Sequence, residues 1–322
     1  MRAGRCYFRA VVDPSSLLDV LEGHREQPLI SSSLDEIWCA YDSERASGRS
    51  PFSSAIRVAS RVDRLGFAFA AGYPAALEHM IGPVEAPCAL CVTEAGGNTP
   101  RAIVTTLEAT DGGYRLRGAK SFVTLGTLAR TLYVACRTGE KPDGRPDLAL
   151  VRVPADRNGV VLHELPATPF APEVPHARVD FQDVEVTPIE RLPGDGYLDY
   201  VKPFRTIEDI HVLGAALGYL VGLALRVRGP ADLIAELGAA LVALDALRTE
   251  PALDPRVHIA LHGILRQVKR LLECSGLAGR ATGSFSRSPR KPGKHASSAR
   301  RPSSGEAPPD AYAASASFSK GA

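Results

Sequence analysis

Three rhythms of hydrophobic and polar residues follow one another along the chain. Apolar residues recur every three to four positions up to residue 82, every two positions from Ala86 to Pro193, and again at helical spacing after Gly196. This order predicts an α+β protein. We place an N-terminal helical domain at 1–85, a middle β domain at 86–196, a C-terminal helical domain at 197–277 and a tail at 278–322.

The N-terminal rhythm predicts three helices. The first runs from Asp13 to His24, and the second follows Ser33, which stands three residues before a glutamate in capping-box spacing. The third runs from about Phe52 to Met80. Pro74 lies within it and is expected to kink or divide it near Gly72, because proline removes a helical hydrogen bond.

Short runs with a period of two, separated by turn residues, fill the middle region. Asp111-Gly-Gly113 is a hairpin signal between two of them. Many short strands of this kind predict an antiparallel sheet closed into a small barrel or sandwich. Helices then follow at 203–225, 230–247 and 254–274. The longest apolar run, Val212–Leu225, has 14 residues and is shorter than the ~20 needed for a membrane span. It predicts a buried helix and no membrane contact.

Charge and composition change abruptly at Leu277. Residues 280–322 hold eight basic and two acidic residues, ten serines, and no Val, Ile, Leu or Met. Such a segment cannot offset the ordering entropy of about 1 to 2 kcal/mol per residue, so we expect a disordered tail. A natural flexible tail and a reading-frame change remain open as explanations. Since the positive charge lies in the tail and the body is mildly acidic, nucleic-acid binding is not expected.

Six cysteines scattered over 322 residues indicate reduced thiols and a cytoplasmic protein without a secretory signal. Cys88 and Cys91 have the spacing of metal ligands, but no second Cys/His pair accompanies them. Strand core is the better interpretation, and we predict no metal site.

Three segments carry a resemblance to a known family. Cys91-Val-Thr-Glu-Ala-Gly-Gly-Asn-Thr99 is similar to C-V-T-E-P-G-A-G-S, and Gly118-Ala-Lys-Ser-Phe-Val-Thr-Leu-Gly126 is similar to G-x-K-x-W-I-T-N-G. Ala177-Arg-Val-Asp-Phe-Gln-Asp-Val-Glu-Val186 is similar to a late strand ending F-x-D-V-x-V-P. In this order, they resemble the acyl-CoA dehydrogenase family of flavoproteins, which has the same succession of helical, β and helical domains.

The resemblance implies an FAD-dependent oxidoreductase that dehydrogenates an acyl-CoA thioester between its α and β carbons, in fatty acid metabolism. It implies an electron-transfer flavoprotein as the external acceptor and a homo-oligomer. It assigns Thr99 to the thioester chain. For the flavin, it assigns Cys91, Val92, Thr93, Phe122 and Thr124. Without the resemblance, threonine at a strand end and phenylalanine in a barrel are more often plain structural residues.

The reaction needs a carboxylate to remove the α proton, and burial raises a carboxyl pKa toward the efficient range. The usual Tyr-Glu-Gly loop is absent. Some family branches carry the base on the first helix after the β domain, and Glu208 matches that position. The alternative is a structural ion pair with Arg205, one turn earlier. His211 is expected to be a satisfied buried histidine.

Two departures limit the resemblance. The Arg-x-x-Phe-Gly element that holds the FAD pyrophosphate is missing, with Arg226 or Arg228 as the nearest candidates, and the C-terminal bundle lacks a fourth helix. A degenerate, non-catalytic relative with weak or no FAD binding is therefore the alternative function. A flavin oxidase that uses oxygen directly is a third option.

Overall fold

The structure, a computed structural model, describes residues 17–22 and 33–275. The expected tail and most of the expected helix Asp13–His24 lie outside them; its described part contains a 3₁₀ turn, Asp19–Glu22. The helices are α1 (Leu34–Ala46), α2 (Pro51–Ala59), α3 (Leu65–Ile81), α4 (Lys202–Arg226), α5 (Ala231–Leu247) and α6 (Pro255–Ser275). The strands are β1 (Cys88–Cys91), β2 (Thr106–Thr110), β3 (Gly113–Thr124), β4 (Thr131–Glu140), β5 (Pro146–Pro154), β6 (Val160–Glu164) and β7 (His176–Val186).

Side-chain caps begin the first two helices. The Ser33 hydroxyl accepts from the Glu36 amide at 3.4 Å, and the Ser50 hydroxyl accepts from the Ser53 amide at 3.1 Å. Pro51 occupies the first turn of α2, where a missing N–H costs nothing. The predicted start of the helix after Ser33 is confirmed.

Of the kink or division predicted at Pro74, the division of the third helix is wrong. The break falls earlier, between α2 and α3, and Pro74 lies inside α3. A proline at this position cannot donate to the carbonyl of Ala70 four residues before it. The indole N–H of Trp38 on α1 donates to that carbonyl instead, at 3.1 Å. This replacement bond explains why the helix continues through the proline.

The middle domain is a curled seven-stranded sheet with the order β1-β4-β2-β3-β7-β6, and β5 pairs with β4. Most pairs are antiparallel, as predicted, but β4 is parallel to both β1 and β2, so the sheet is mixed. Both faces of β1 are buried. Cys88 and Leu90 face the helical core, whereas Ala89 and Cys91 face the core inside the sheet.

The helix α4 packs along α2 and α3 and ties the helical parts of the chain together. Its approach to α3 is close at Gly72, where an added Cβ would lie 3.0 Å from the Cβ of Ala215. The stretch Gly196–Arg226 is long and apolar enough to cross a membrane by length and composition alone. However, 67% of its apolar 18-residue segment is buried inside the protein. Such burial is typical of a core helix, and it agrees with the predicted buried helix.

Candidate active site

The first two sequence motifs meet at the end of β1. The carbonyl of Thr93 accepts from the backbone N–H of Ser121 at 2.9 Å and from the Ser121 hydroxyl at 3.4 Å. Thr93 is therefore joined to the residue next to Phe122. These contacts bring the two predicted flavin-contact segments side by side, although they are 28 residues apart in the chain.

A β-bulge sets the direction of Phe122. The register of β3 with β7 pairs Lys120 with Val179 and resumes at Val123 and Ala177, which leaves Ser121 and Phe122 out of step. Bulges of this kind redirect side chains and are frequent near functional sites. The Phe122 side chain remains 38% exposed, so part of its ring is open to a ligand.

His176 lies behind Phe122. Its ring stacks on the Phe122 ring with centroids 4.3 Å apart and planes at 29°, and it lies opposite Thr124 in the register. Burial lowers the pKa of His176, so the ring is neutral at neutral pH. His176 has no signal in the sequence, because the register of β3 and β7 decides the contact and no local motif contains both residues.

The chain turns sharply directly after Thr124. Leu125 adopts a φ of 61°, which is rare for a bulky residue, and its N–H donates to the Pro175 carbonyl at 2.8 Å. Residues in this conformation cluster at functional sites, where the surroundings must hold them. The hydrogen bond to Pro175 fixes the end of β3 and with it the position of Thr124.

A buried ion pair supports the same region from inside. The Lys120 ammonium donates to Glu94 at 2.6 Å and to the Ala135 carbonyl at 2.6 Å, and it reaches the Val92 carbonyl at 3.3 Å. The Glu94 carboxylate also accepts from the amides of Val104 and Thr105, at 3.0 and 3.2 Å. Lys120 and Glu94 are almost wholly withdrawn from solvent.

The pKa values of this pair reflect burial and partners together. Burial alone would raise the pKa of Glu94, but Lys120 and the two amides outweigh it and lower the pKa. Burial lowers the pKa of Lys120 against the attraction of Glu94. The pair is charged, and its main effect is to hold the strand end that carries Thr93 against β3.

At the end of β1, the polar groups without a partner among the described residues are hydrogen-bond donors. The carbonyls of Val92 and Thr93 are used by Lys120 and Ser121, whereas the N–H and hydroxyl of Thr93 have no partner among the described residues. The Cys91 thiol is buried inside the sheet, where burial raises its pKa to about 12. The contact predicted for Cys91 is therefore restricted to its backbone groups.

Thr99 lies beyond the turn that follows Glu94. That turn is closed by two backbone hydrogen bonds between Glu94 and Gly97, both 2.9 Å long. Thr99 itself is exposed and precedes the short 3₁₀ helix Pro100–Ala102. The structure thus places Thr99 on a surface loop anchored by the buried ion pair, near the strand end but not within it.

Glu208 lies on α4 and is partly buried. It has no hydrogen bond or ion pair with any residue in 33–275, and the neighbouring Arg205 pairs with Asp209 at 3.8 Å. Burial, with a smaller contribution from the Asp209 charge, raises the pKa of Glu208 to about 7, and Arg205 opposes this rise. The carboxyl group is therefore half protonated near neutral pH.

Tyr73 on α3 contacts both α4 and the β domain. The Tyr73 ring packs edge to face on Phe204, with centroids 6.0 Å apart, and Glu208 follows Phe204 by one helical turn. The Tyr73 hydroxyl accepts from the Leu90 amide of β1 at 3.0 Å. Thr93 is three residues further along, about 10 Å at ~3.3 Å per residue. The carboxyl group and the strand end thus share the junction between the helices and the sheet.

The two other candidates on α4 have structural roles. His211 is buried, and its Nδ1 donates to the Ile207 carbonyl at 2.7 Å, so the predicted satisfied histidine is confirmed. Arg226 donates to the carbonyls of Ser60 and Val62 at 2.9 and 3.0 Å. Its guanidinium holds the turn between α2 and α3.

Comparison with protein-family models supports the resemblance over the β domain. Residues 89–184 match the model described as the acyl-CoA dehydrogenase middle domain. A search of curated protein sequences finds no match. The family resemblance is therefore confirmed by sequence for the middle domain, and the evidence for the flanking helices is structural.

Solved structures share the fold along most of the chain. Butyryl-CoA dehydrogenase from Megasphaera elsdenii is 16% identical, with a TM-score of 0.58 and coverage of 89% of this chain and 90% of its own. The prolyl acyl carrier protein oxidase AnaB is 16% identical, with a TM-score of 0.61 and coverage of 84% and 90%. An FAD-dependent dehydrogenase is 16% identical, with a TM-score of 0.57 and coverage of 88% and 90%. The protein has the acyl-CoA dehydrogenase-like fold.

Proposed function

We propose that the protein is an FAD-dependent oxidoreductase that dehydrogenates an acyl-CoA thioester between its α and β carbons. One observation carries the proposal. Glu208 is a partly buried carboxyl group without a partner among the described residues, with a pKa raised to about 7, at the helix-sheet junction that includes the strand leading to Thr93. Acid-base catalysis is most efficient when the pKa of the catalytic group lies near the working pH.

The residues at the strand ends fit a flavin. A flavin ring needs a flat apolar wall and a few aimed polar groups. Phe122, backed by His176, offers the wall, and the N–H and hydroxyl of Thr93 offer donors. Thr124 is the remaining candidate at the end of β3, and Thr99 would contact the thioester chain. When bound, FAD would accept the hydride that leaves the β carbon.

The chain's own step is proton removal. Glu208 in its charged form would take the α proton of the thioester, and the protonated carboxyl would be stable afterwards because burial favours the neutral form. At pH 7 about half of the molecules hold the charged form, which rises with pH. We therefore expect activity to increase with pH through a midpoint near 7.

The remaining assignments rest on the resemblance. We propose an electron-transfer flavoprotein as the acceptor, a homo-oligomeric state and a role in fatty acid metabolism. The described cysteines are free, which is compatible with the proposed cytoplasmic location. The prolyl acyl carrier protein oxidase among the structural neighbours shows that this fold also serves carrier-bound substrates, so carrier-bound thioesters should be tested beside acyl-CoA.

The test begins with the colour of the purified protein and the mass of any released cofactor. Glu208→Gln should keep the flavin spectrum and slow flavin reduction by acyl-CoA by roughly 10² to 10⁴-fold, the usual contribution of a general base. Glu78→Gln is the matched control, because Glu78 is a partly buried carboxylate held by Tyr41 and Arg45. A yellow Glu208→Gln protein that is reduced as fast as the wild type would rule out the proposed role of Glu208.

A non-catalytic relative is the second candidate, and the hydrogen bonds of Arg226 favour it. This arginine is one of the two candidates for the cofactor's pyrophosphate, with Arg228, and it is bonded to the carbonyls of Ser60 and Val62. In that case the protein would retain an acyl- or protein-binding surface without tight FAD. Stoichiometric FAD that survives purification would exclude this candidate.

A further inference from the structure

Tyr73 and Glu208 each have an unused hydrogen-bonding group at the same junction. The Tyr73 hydroxyl accepts from the Leu90 amide, and its own proton has no acceptor among the described residues. Glu208 accepts no hydrogen bond from any residue in 33–275. A buried donor without an acceptor is costly, and the partly buried Glu208 carboxylate is an acceptor that would remove this cost.

The helix packing brings the two groups toward each other. Tyr73 follows Gly72, the point at which α3 approaches α4 closely enough for a Cβ to meet the His211 carbonyl at 3.0 Å. The Tyr73 ring rests on Phe204, which shares a helical face with Glu208 at i, i+4 spacing. The ring therefore extends along the side of α4 that carries the carboxyl group.

We infer that Tyr73 is a positioning residue for Glu208: its hydroxyl, held by Leu90, donates its proton to the Glu208 carboxylate directly or through one water molecule. This inference rests on the proposed function of Glu208. It joins the base on α4 to β1 and therefore to the strand end at Thr93. A change in the position of β1 would then change the protonation of the base.

Other charged and titratable groups near Glu208 also influence its pKa, and the experiment must separate their effects from that of Tyr73. The charges of Asp209 and Arg205 act on Glu208 from its own helix, and Tyr73 on α3 is coupled to Glu208 electrostatically. His258 acts on Asp209 from α6. On the other side of Tyr73, β1 contributes Cys88 and Cys91. Of these groups, Tyr73 is the one inferred to donate to the carboxylate, so a hydroxyl deletion isolates its contribution.

The experiment measures the pKa of Glu208 in Tyr73→Phe by infrared titration of the protonated carboxyl band, assigned with Glu208→Gln. A hydrogen bond to the charged form lowers a pKa, so its loss should move the midpoint upward by roughly 0.5 to 1 pH unit. Tyr41→Phe is the matched control. It removes a buried hydroxyl that donates to Glu78 at 3.0 Å and should leave the Glu208 midpoint unchanged.

A second measurement needs no tyrosine variant. The ¹⁵N amide signal of Leu90 should titrate with the midpoint of Glu208 in the wild type and lose that titration in Glu208→Gln. An unshifted carboxyl midpoint in Tyr73→Phe, or a Leu90 amide that titrates equally in Glu208→Gln, would overturn the inference. Neither readout uses flavin or substrate. Failure of the inference is therefore distinguishable from failure of the proposed dehydrogenase activity.

Discussion

Glu94 and Glu208 are both withdrawn from water at the candidate site, yet their surroundings shift their pKa values in opposite directions. Glu94 meets Lys120 and two backbone amides, which lower its pKa against the effect of burial. Glu208 has no such partners among the described residues, and burial raises its pKa to about 7. Two carboxyl groups whose environments separate their pKa values are the arrangement expected of one structural group and one acid-base group.

The difference shows that burial alone does not identify a catalytic carboxylate. Glu94 is the more deeply buried of the two, but it is charged and holds the loop between β1 and β2. Glu208 keeps some contact with solvent and lacks compensation. The absence of partners, together with burial, distinguishes the group that is able to exchange a proton near neutral pH.

The largest expected effect on stability comes from removing Lys120, the ion-pair partner of Glu94. Lys120→Met should leave a buried, uncompensated carboxylate and lower the free energy of unfolding by about 3 to 5 kcal/mol, measured by urea denaturation. The double variant Lys120→Met/Glu94→Gln should recover part of the loss. Lys141→Met, which removes a surface ion pair with Asp195, is the control and should change stability little. Equal losses in both lysine variants would contradict a special role for the buried pair.

Removing the charge of Glu208 should instead raise the free energy of unfolding at neutral pH. Its pKa is raised from the ordinary 4.5 to about 7, so the folded state binds the proton more tightly, and wild-type stability should fall as pH rises between these values. The difference of 2.5 corresponds to about 3 kcal/mol. Glu208→Gln should therefore match the wild type near pH 4 and exceed it above pH 7, in urea denaturation across that range. A constant difference at all pH values would show that the carboxyl group is not buried as described.

Phe122 is the proposed apolar wall of the flavin site, which the buried ion pair of Glu94 and Lys120 supports. Phe122→Ala should weaken FAD binding about tenfold, because an aromatic stacking partner is worth ~0.5 to 1.5 kcal/mol beyond its area. Phe122→Trp should preserve binding. The control is Phe170→Ala, at a ring that is 63% exposed. Titration of the apoprotein with FAD, followed by flavin fluorescence, gives the Kd values. Equal Kd values for the two alanine variants would remove Phe122 from the site.

The smallest effect concerns the charge that opposes burial at Glu208. Arg205→Ala removes an exposed cation that lowers the pKa of Glu208, so the midpoint should rise by roughly a few tenths of a pH unit. Infrared titration of the carboxyl band detects this change. Arg178→Ala, at an exposed pair with Asp180 on β7, should not move the midpoint. A large shift of the Glu208 midpoint in Arg205→Ala would support a structural ion pair between Arg205 and Glu208.

Local patterns predicted the elements well, for physical reasons that act over a few residues. The cap at Ser33, the period of two in the middle domain and the helices of the C-terminal domain all depend on near neighbours in the chain. Pro74 was misjudged because the replacement donor, Trp38, comes from another helix. The roles of Cys91, Val92, Thr93, Thr99, Phe122, Thr124 and Glu208 stay predictions.

The amino-acid sequence by itself determined the order of helices and strands, the family resemblance of the middle domain and the choice of Glu208. Hydrophobic periodicity, helix caps and motifs depend on residues that are close together in the sequence. Only the tertiary structure decided which polar groups are compensated, because partners such as Lys120 for Glu94 or Trp38 for Ala70 come from distant segments. A pKa depends on those partners and on the exclusion of water. For this reason, the separation of Glu94 from Glu208 required the folded chain.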